Sequence, residues 1–205
     1  MLELYAFPLS GNSRKAALTL EEVGAEYEYH SIDLMQGGQK QPDYLAINPN
    51  GKVPTLRDDD HLLWESSAIM LYLAEKFPAA GLIPADPMRR SKLYQWLIWQ
   101  PGTYNPPISA LTGQLLFTPI EQQDPELIER HRETVRKNNQ IIENELGERS
   151  FLLDDFSLAD IVMLPHLNAA VERKVELSAN MQAYLKRLQS RPSWKNHVSP
   201  TFDPP

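Results

Sequence analysis

Leu2, Leu4 and Ala6 alternate with Glu3 and Tyr5, and Tyr27 and Tyr29 flank Glu28, a period of two that predicts two strands. Between them Ala16, Ala17, Leu20 and Val23 fall at helical spacing, and Gly24 stands where a left-handed C-terminal cap is expected. A loop rich in Gly and Gln follows, from Gln36 to Gln41. Val53 to Leu56 and Leu62 to Trp64 then read as two short strands folded about the polar turn Asp58-Asp59-Asp60, a hairpin signal. Ser66 is placed to cap a helix whose apolar face carries Ile69, Met70, Leu73 and Phe77, and Pro78 stops it. The order βαβ then ββα predicts a thioredoxin-like α/β domain over residues 1–78.

Residues 79–87 continue the Pro- and Gly-punctuated composition of a linker, with Gly81, Pro84 and Pro87. No strand pattern follows, so residues 88–198 are expected to form an all-α helical bundle. Asp124 and Pro125 fit the cap and first position of a long helix. Leu127, Ile128, His131, Val135, Ile141, Ile142 and Leu146 carry its stripe as far as Gly147. Ser157 and Asp160 have capping-box spacing, with Asp in place of the usual Glu or Gln, and Phe156 and Ile161 are set for a hydrophobic staple. That motif reads as a folding signal without chemistry. Pro165 is expected to bend the helix that follows, and the segment from Gln100 to Pro107, with Pro101, Pro106 and Pro107, reads as a helix break. The tail 199–205, with three prolines, is expected to be loose.

Composition narrows the chemistry. With 42% hydrophobic and 23% charged residues the chain has an ordinary globular balance, and a formal charge of −7 argues against nucleic-acid and anionic-membrane partners. There is no Cys, which excludes disulfides, thiolate metal sites and a cysteine nucleophile, so any thiol chemistry must use the ligand's thiol. The five histidines show no metal-ligand spacing with one another, and no metal is expected. The N-terminus begins on a strand rather than a basic segment with an apolar run, so a cytoplasmic location is expected.

Two local patterns carry candidate chemistry. Pro54 cannot donate to a ladder, so the backbone of Val53 is left for another extended chain, and a cis Val53–Pro54 bond would hold that edge in one geometry. Ser66, at a helix start, suits a carboxylate. The turn Ser10-Gly11-Asn12-Ser13 joins the first strand to the first helix, where a hydroxyl or amide donor and the helix dipole can act on one anion.

Those residues, with Pro8 to Lys15 near the start and Phe156 to Ile161 near the end, make the chain resemble the cytosolic glutathione S-transferases over nearly its whole length. The Ser-Gly-Asn loop is similar to bacterial and theta-like members. The resemblance implies glutathione as co-substrate, with Ser10 stabilising its thiolate and Asn12 sharing or taking that role, while Ser13 is a further rival. It implies that Glu65 and Ser66 receive the γ-glutamyl end, that Val53 and Pro54 meet the peptide backbone, and that Lys40 or Lys52 pairs with the glycyl carboxylate. Gln39 and Asn50 are weaker candidates. It places a small hydrophobic electrophile near the aromatic segment of the helical domain, with Tyr94, Trp99 and Tyr104 as the candidate contacts. It further implies a homodimer and a detoxifying transferase. Glutathione-dependent disulfide or peroxide reduction is the second reading. The third, a non-catalytic scaffold for a protein partner, is disfavoured by the retention of Ser10, Asn12, Val53, Pro54, Glu65 and Ser66.

Overall fold

The computed structural model describes residues 1–196; His197 and the expected tail 199–205 lie outside the described residues. The described chain divides into two units: Met1–Ile83 together with the residues from Pro192 on, and Pro84–Arg191.

In the first unit, β1 (Leu2–Ala6) runs parallel to β2 (Tyr27–Ser31) and antiparallel to β3 (Thr55–Asp58), which pairs antiparallel with β4 (His61–Trp64). The sheet order is therefore β2-β1-β3-β4. The parallel pair needs a crossover, supplied by α1 (Gly11–Glu22), and the β3–β4 hairpin leads into α3 (Ser66–Lys76). Leu2, Leu4, Ala6 and Leu56 from the strands pack with Ala16, Ala17 and Leu20 of α1 and with Ile69 and Leu73 of α3, forming one apolar core. Leu4, Leu20, Ile69 and Leu73 are wholly buried, and truncating any of them to Ala would cost about 2–5 kcal/mol. Gly24 has φ +67, the left-handed conformation its place after α1 requires. The buried Asp58 carboxylate accepts from Lys76 and Tyr72, tying the hairpin to α3, and those two bonds hold it below the usual carboxylate range.

Two local expectations are corrected and one helix is added. The third strand starts at Thr55, after a cis Val53–Pro54 bond, rather than at Val53. A 3₁₀ turn at Gly38–Lys40 lies within the expected Gln36 to Gln41 loop, and a short helix α2 (Pro42–Ile47), for which the sequence gives no signal, follows it. Six residues are under two turns, too few for a helical period to emerge. The helical part was also expected to run to residue 198. Instead α9 (Pro192–Asn196) belongs to the first unit: Ser193 donates to Glu22 at 2.5 Å, and the Arg14 guanidinium lies 4.1 Å from the centroid of Trp194.

The second unit contains no strand among its described residues. Its helices are α4 (Pro87–Trp99), α5 (Asn105–Leu116), α6 (Pro125–Leu146), α7 (Leu158–Glu172) and α8 (Ala179–Gln189). Asp86, Asp124, Ser157 and Ser178 each cap a helix through the side chain. Gly147 ends α6 at φ +54, while Ile141, assigned to the apolar stripe of that helix, is 48% exposed. The expected break at 100–107 is absent. Residues Gln100–Tyr104 form a π-helical turn that carries α4 directly into α5, with the Asn105 N–H donating to Gln100 O. The wider turn accommodates Pro101, which has no N–H to give, and Pro106 and Pro107 then fall in the first turn of α5, where proline is tolerated. Pro165 lies within α7, which remains helical to Glu172. The capping box at its start is complete: the buried Asp160 accepts from Ser157 N at 2.9 Å, Leu152 N at 3.0 Å and the Tyr184 hydroxyl at 2.8 Å.

Candidate active site

The sheet register brings three segments to one end of the first unit. Tyr5 pairs with Thr55, and Thr55 pairs with Trp64, so the exits of β1 and β4 flank the entry of β3. Beyond that row come Phe7 to Ser10 on one side, Val53–Pro54 in the middle and Glu65-Ser66 on the other. Each segment was singled out separately in the sequence, and strand pairing makes them neighbours.

At the first segment Ser10 is the N-cap of α1, with extended backbone (φ −76, ψ 119) and its Oγ accepting from Ser13 N at 3.3 Å. Accepting that bond leaves its hydroxyl hydrogen available to a ligand. Asn12 is partly exposed on the first turn. Ser13 is 2% exposed, and its Oγ accepts from Phe7 N at 3.1 Å, which fixes the strand-to-helix turn. Ser13 Oγ is thus engaged within the fold, and Ser10 and Asn12 are the more exposed polar side chains of this turn.

Lys15 lies beside Asn12. It lies on α1 with no exposure, and its Nζ donates to Asn12 Oδ1 at 2.9 Å. Burial pulls its ammonium down from 10.5 to about 7, and the Glu65 carboxylate opposes that fall. A lysine in sequence reads as surface. In the fold it stands in a run, Lys15 to Leu20, in which every residue is buried.

At the middle segment the ladder begins at Thr55, so the backbone of Val53 stays outside the sheet pairing. The loop before it is clamped: Tyr44 Oη and Asn48 Nδ2 each donate to Lys52 O at 2.7 Å, and both reach Thr55 Oγ1, at 2.9 and 3.1 Å. Asn48 Oδ1 also accepts from Asn50 N at 3.1 Å. Gly51 has φ +56, and a Cβ there would come within 2.9 Å of Lys40 Nζ and 3.0 Å of Gln39 O, so Lys40 and Gln39 close over this turn. Lys40, Lys52 and Asn50 are exposed. Tyr44, Asn48 and Thr55 also escaped the sequence reading, since their roles depend on contacts that local pattern does not encode.

At the third segment the cap assignment is corrected. Glu65, not Ser66, is the N-cap of α3, and Ser66 is the first helical residue. Glu65 has φ +74 and ψ 113, a conformation that costs a non-glycine residue of order 1–3 kcal/mol. Its side chain makes no capping hydrogen bond, unlike Ser10 at α1, so the first turn of α3 carries no side-chain cap against an incoming carboxylate.

Of the candidate electrophile contacts in the second unit, Tyr94 is 38% exposed and Trp99 is half-buried, stacked on Tyr104 with centroids 5.7 Å apart. Tyr104 itself is fully buried, with its hydroxyl donating to Asn139 Oδ1 at 2.7 Å and burial raising its pKa. It is a core residue and not a pocket wall, since no part of it is exposed and its hydroxyl is bonded within the core. The absence of histidine spacing likewise did not anticipate Glu3, Glu28 and His30, whose ligand atoms lie within 4.8 Å of one another across the β1–β2 register. Tyr5 donates to Glu3 at 2.7 Å, His30 lies 2.9 Å from the same oxygen and Arg57 3.6 Å from the other, so the grouping is a hydrogen-bonded ion-pair network.

Family models for the glutathione S-transferase N-terminal and C-terminal domains match residues 1–75 and 104–192. The chain belongs to the glutathione S-transferases. It is 36% identical to glutathione S-transferase F10 of Arabidopsis thaliana, over 95% of each chain. It is 32% identical to the disulfide-bond oxidoreductase YfcG of Escherichia coli, over 94% of this transferase and 92% of that protein. Among solved structures, the glutathione-bound theta-class glutathione S-transferase of Xanthomonas axonopodis pv. citri superposes with a TM-score of 0.90 at 30% identity, over 98% of each chain. The thioredoxin-like α/β domain followed by an all-helical domain is the fold the sequence pattern implied.

Proposed function

We propose that this glutathione S-transferase binds glutathione along the convergent end of its sheet and activates the thiol for attack on a small hydrophobic electrophile. The single observation that carries the reading is the Tyr5–Thr55–Trp64 row, which sets the β1–α1 donors, the unladdered Val53 backbone and the α3 N-terminus side by side. In this reading Val53 and Pro54 meet the cysteinyl backbone as an added strand would, the first turn of α3 with Ser66 receives the γ-glutamyl carboxylate, and Glu65 faces the γ-glutamyl ammonium. Lys40 or Lys52 pairs with the glycyl carboxylate, and Tyr94 and Trp99 are the remaining candidate electrophile contacts.

A cysteine thiol of pKa ~8.5 is only a few per cent ionised at pH 7, and lowering it by two units takes ~2.7 kcal/mol of preferential thiolate stabilisation. A charge-assisted bond from Ser10 Oγ or Asn12 Nδ2 supplies ~1.5–3 kcal/mol and the α1 dipole ~0.3–1, enough without a general base. The thiolate sulfur then bonds to the electrophilic carbon, whose leaving group departs with the electron pair. Glutathione-dependent turnover of aryl halides and epoxides tests this. Loss of glutathione binding in Glu65→Ala and Ser66→Ala tests the ligand assignment, which fails if both folded variants keep wild-type affinity.

Disulfide reduction is the second reading, favoured by similarity to a protein named as a disulfide-bond oxidoreductase. With no Cys in this chain, two glutathiones would supply both electrons and end as glutathione disulfide. Hydroxyethyl disulfide assayed beside the electrophiles separates the two. The protein works as a homodimer in this proposal: Leu62 and Trp64 of the first unit are 37% and 41% exposed, and Met88 and Ile98 of the second 80% and 74%. Light scattering at micromolar concentration decides it. No helix among the described residues is long and apolar enough to cross a membrane.

A further inference from the structure

Asn12 can serve a thiolate only if its carboxamide presents Nδ2; the other orientation turns a partly negative oxygen toward the anion. In an exposed asparagine the two orientations differ little in energy. Here they differ, because Oδ1 is engaged by the Nζ of Lys15 at 2.9 Å, and Lys15 is wholly buried on α1 three residues further on. An ammonium has three donors and no acceptor, so only the amide oxygen can face it. Burial pulls Lys15 down to about 7 and the Glu65 carboxylate opposes that fall, so the charged amine that imposes this orientation predominates below that pH.

We propose that Lys15 is a positioning residue for thiol activation: its buried ammonium holds the Asn12 carboxamide with Oδ1 inward and thereby presents Nδ2 to the bound sulfur. The inference rests on the reading of Asn12 as a thiolate donor. Lys15 has no direct contact with glutathione in this scheme; it acts through the one amide. A buried lysine costs stability, since its charge is taken out of water, and the orientation of Asn12 is the return that a methionine of similar shape could not give.

The test is a double-mutant cycle on the thiolate absorbance of bound glutathione, titrated against pH in wild type, Lys15→Met, Asn12→Ala and the double variant. Lys15→Met should raise the bound thiol's pKa by about one unit, a tenfold loss of thiolate at neutral pH, and the double variant should titrate like Asn12→Ala alone. Binding of S-methylglutathione, which has no thiol to ionise, should be unchanged in Lys15→Met. Lys15→Leu removes the same donor with a shorter side chain and carries the same expectation should the methionine variant fail to fold. A wild-type titration in Lys15→Met alongside a shifted Asn12→Ala overturns the proposal, as do shifts that add in the double variant, which would mean that Lys15 acts on sulfur through space. If Asn12→Ala itself titrates like wild type while Ser10→Ala shifts, the Asn12 reading has failed and the proposal falls with it.

Discussion

The Tyr44 hydroxyl donates to the carbonyl of Lys52 at 2.7 Å while lying 2.9 Å from Thr55 Oγ1, so one phenol on a six-residue helix holds both sides of the Val53–Pro54 dipeptide. Asn48, the C-cap of the same helix, makes the same two contacts. Removing the hydroxyl in Tyr44→Phe leaves Asn48 in place and deletes one of two clamps on the peptide-binding edge. Glutathione affinity should fall about three- to tenfold by calorimetry, with stability reduced by about 0.5–1.5 kcal/mol, the usual worth of one intramolecular hydrogen bond. Tyr44→Phe and Asn48→Ala together should lose more than the sum of the singles, since each now covers for the other.

Ser10→Ala and Asn12→Ala apportion thiol activation. Losing a charge-assisted bond of ~1.5–3 kcal/mol should raise the bound thiol's pKa by about one to two units and slow turnover at neutral pH roughly ten- to a hundredfold, with partial recovery at higher pH. Ser10 also caps α1, so Ser10→Ala should cost a further ~1 kcal/mol of stability that Asn12→Ala does not. Comparing urea unfolding with the thiol titration separates capping from chemistry at this residue.

Lys15 makes stability depend on pH with a definite sign. Its ammonium falls to about 7 in the folded chain against 10.5 in the unfolded one, so between these values the unfolded state binds more protons and raising the pH favours folding. The penalty is full below about pH 7 and fades toward about pH 10.5. Lys15→Met removes it and should be more stable than wild type by on the order of 2–4 kcal/mol near pH 6, with the gap closing as the pH rises toward 10. Urea unfolding of both proteins at three pH values measures that narrowing; a constant gap would contradict it.

Asp160 gathers four donors in the core of the helical unit, from Leu152 N, Ser157 N, Ser157 Oγ and the Tyr184 hydroxyl. Asp160→Ala strands all four and should cost about 2–4 kcal/mol in chemical denaturation, whereas Tyr184→Phe removes one donor and should cost about 1. Burial raises the Asp160 pKa to about 6 from 3.8. A raised folded pKa favours the protonated form on folding, so this group's contribution is full below about pH 4 and is lost as the pH rises through about 6. Asp160→Ala should therefore be least damaging, relative to wild type, at neutral pH and most damaging near pH 4.

Much of this was legible in the sequence for identifiable reasons. Alternation at Leu2–Ala6 and helical spacing after Asp124 are local signals, and Asp124, Ser157 and Gly147 act within a few residues of where they stand. The candidate segments stand out through the separation of Val53-Pro54 from Glu65-Ser66 and their order after the Ser10-Gly11-Asn12 turn, since serine at 10 alone means little. Glu65 was not: no residue type signals a left-handed glutamate, so the neighbouring Ser66 took the cap role in the sequence reading. Pro101 correctly marked an irregularity, but a missing N–H does not distinguish a break from a π turn. Lys15, Tyr44 and Asn48 depend on burial and on partners brought near by folding, and Trp194 meets Arg14 across nearly the full length of the chain.

That last contact bears on how the protein is made. The helix that Ser10 caps and that carries Asn12 is closed on one side by Trp194 and Ser193, which leave the ribosome only after the whole of Pro84–Arg191 has been synthesised. At ~5–20 residues per second, the sheet and the three helices α1 to α3 wait roughly 5–20 s for their final covering piece. During that interval the face of α1 around Arg14 and Glu22 is unshielded on the nascent chain. The α/β unit is thus the first to be translated and, in its complete form, the last to be assembled.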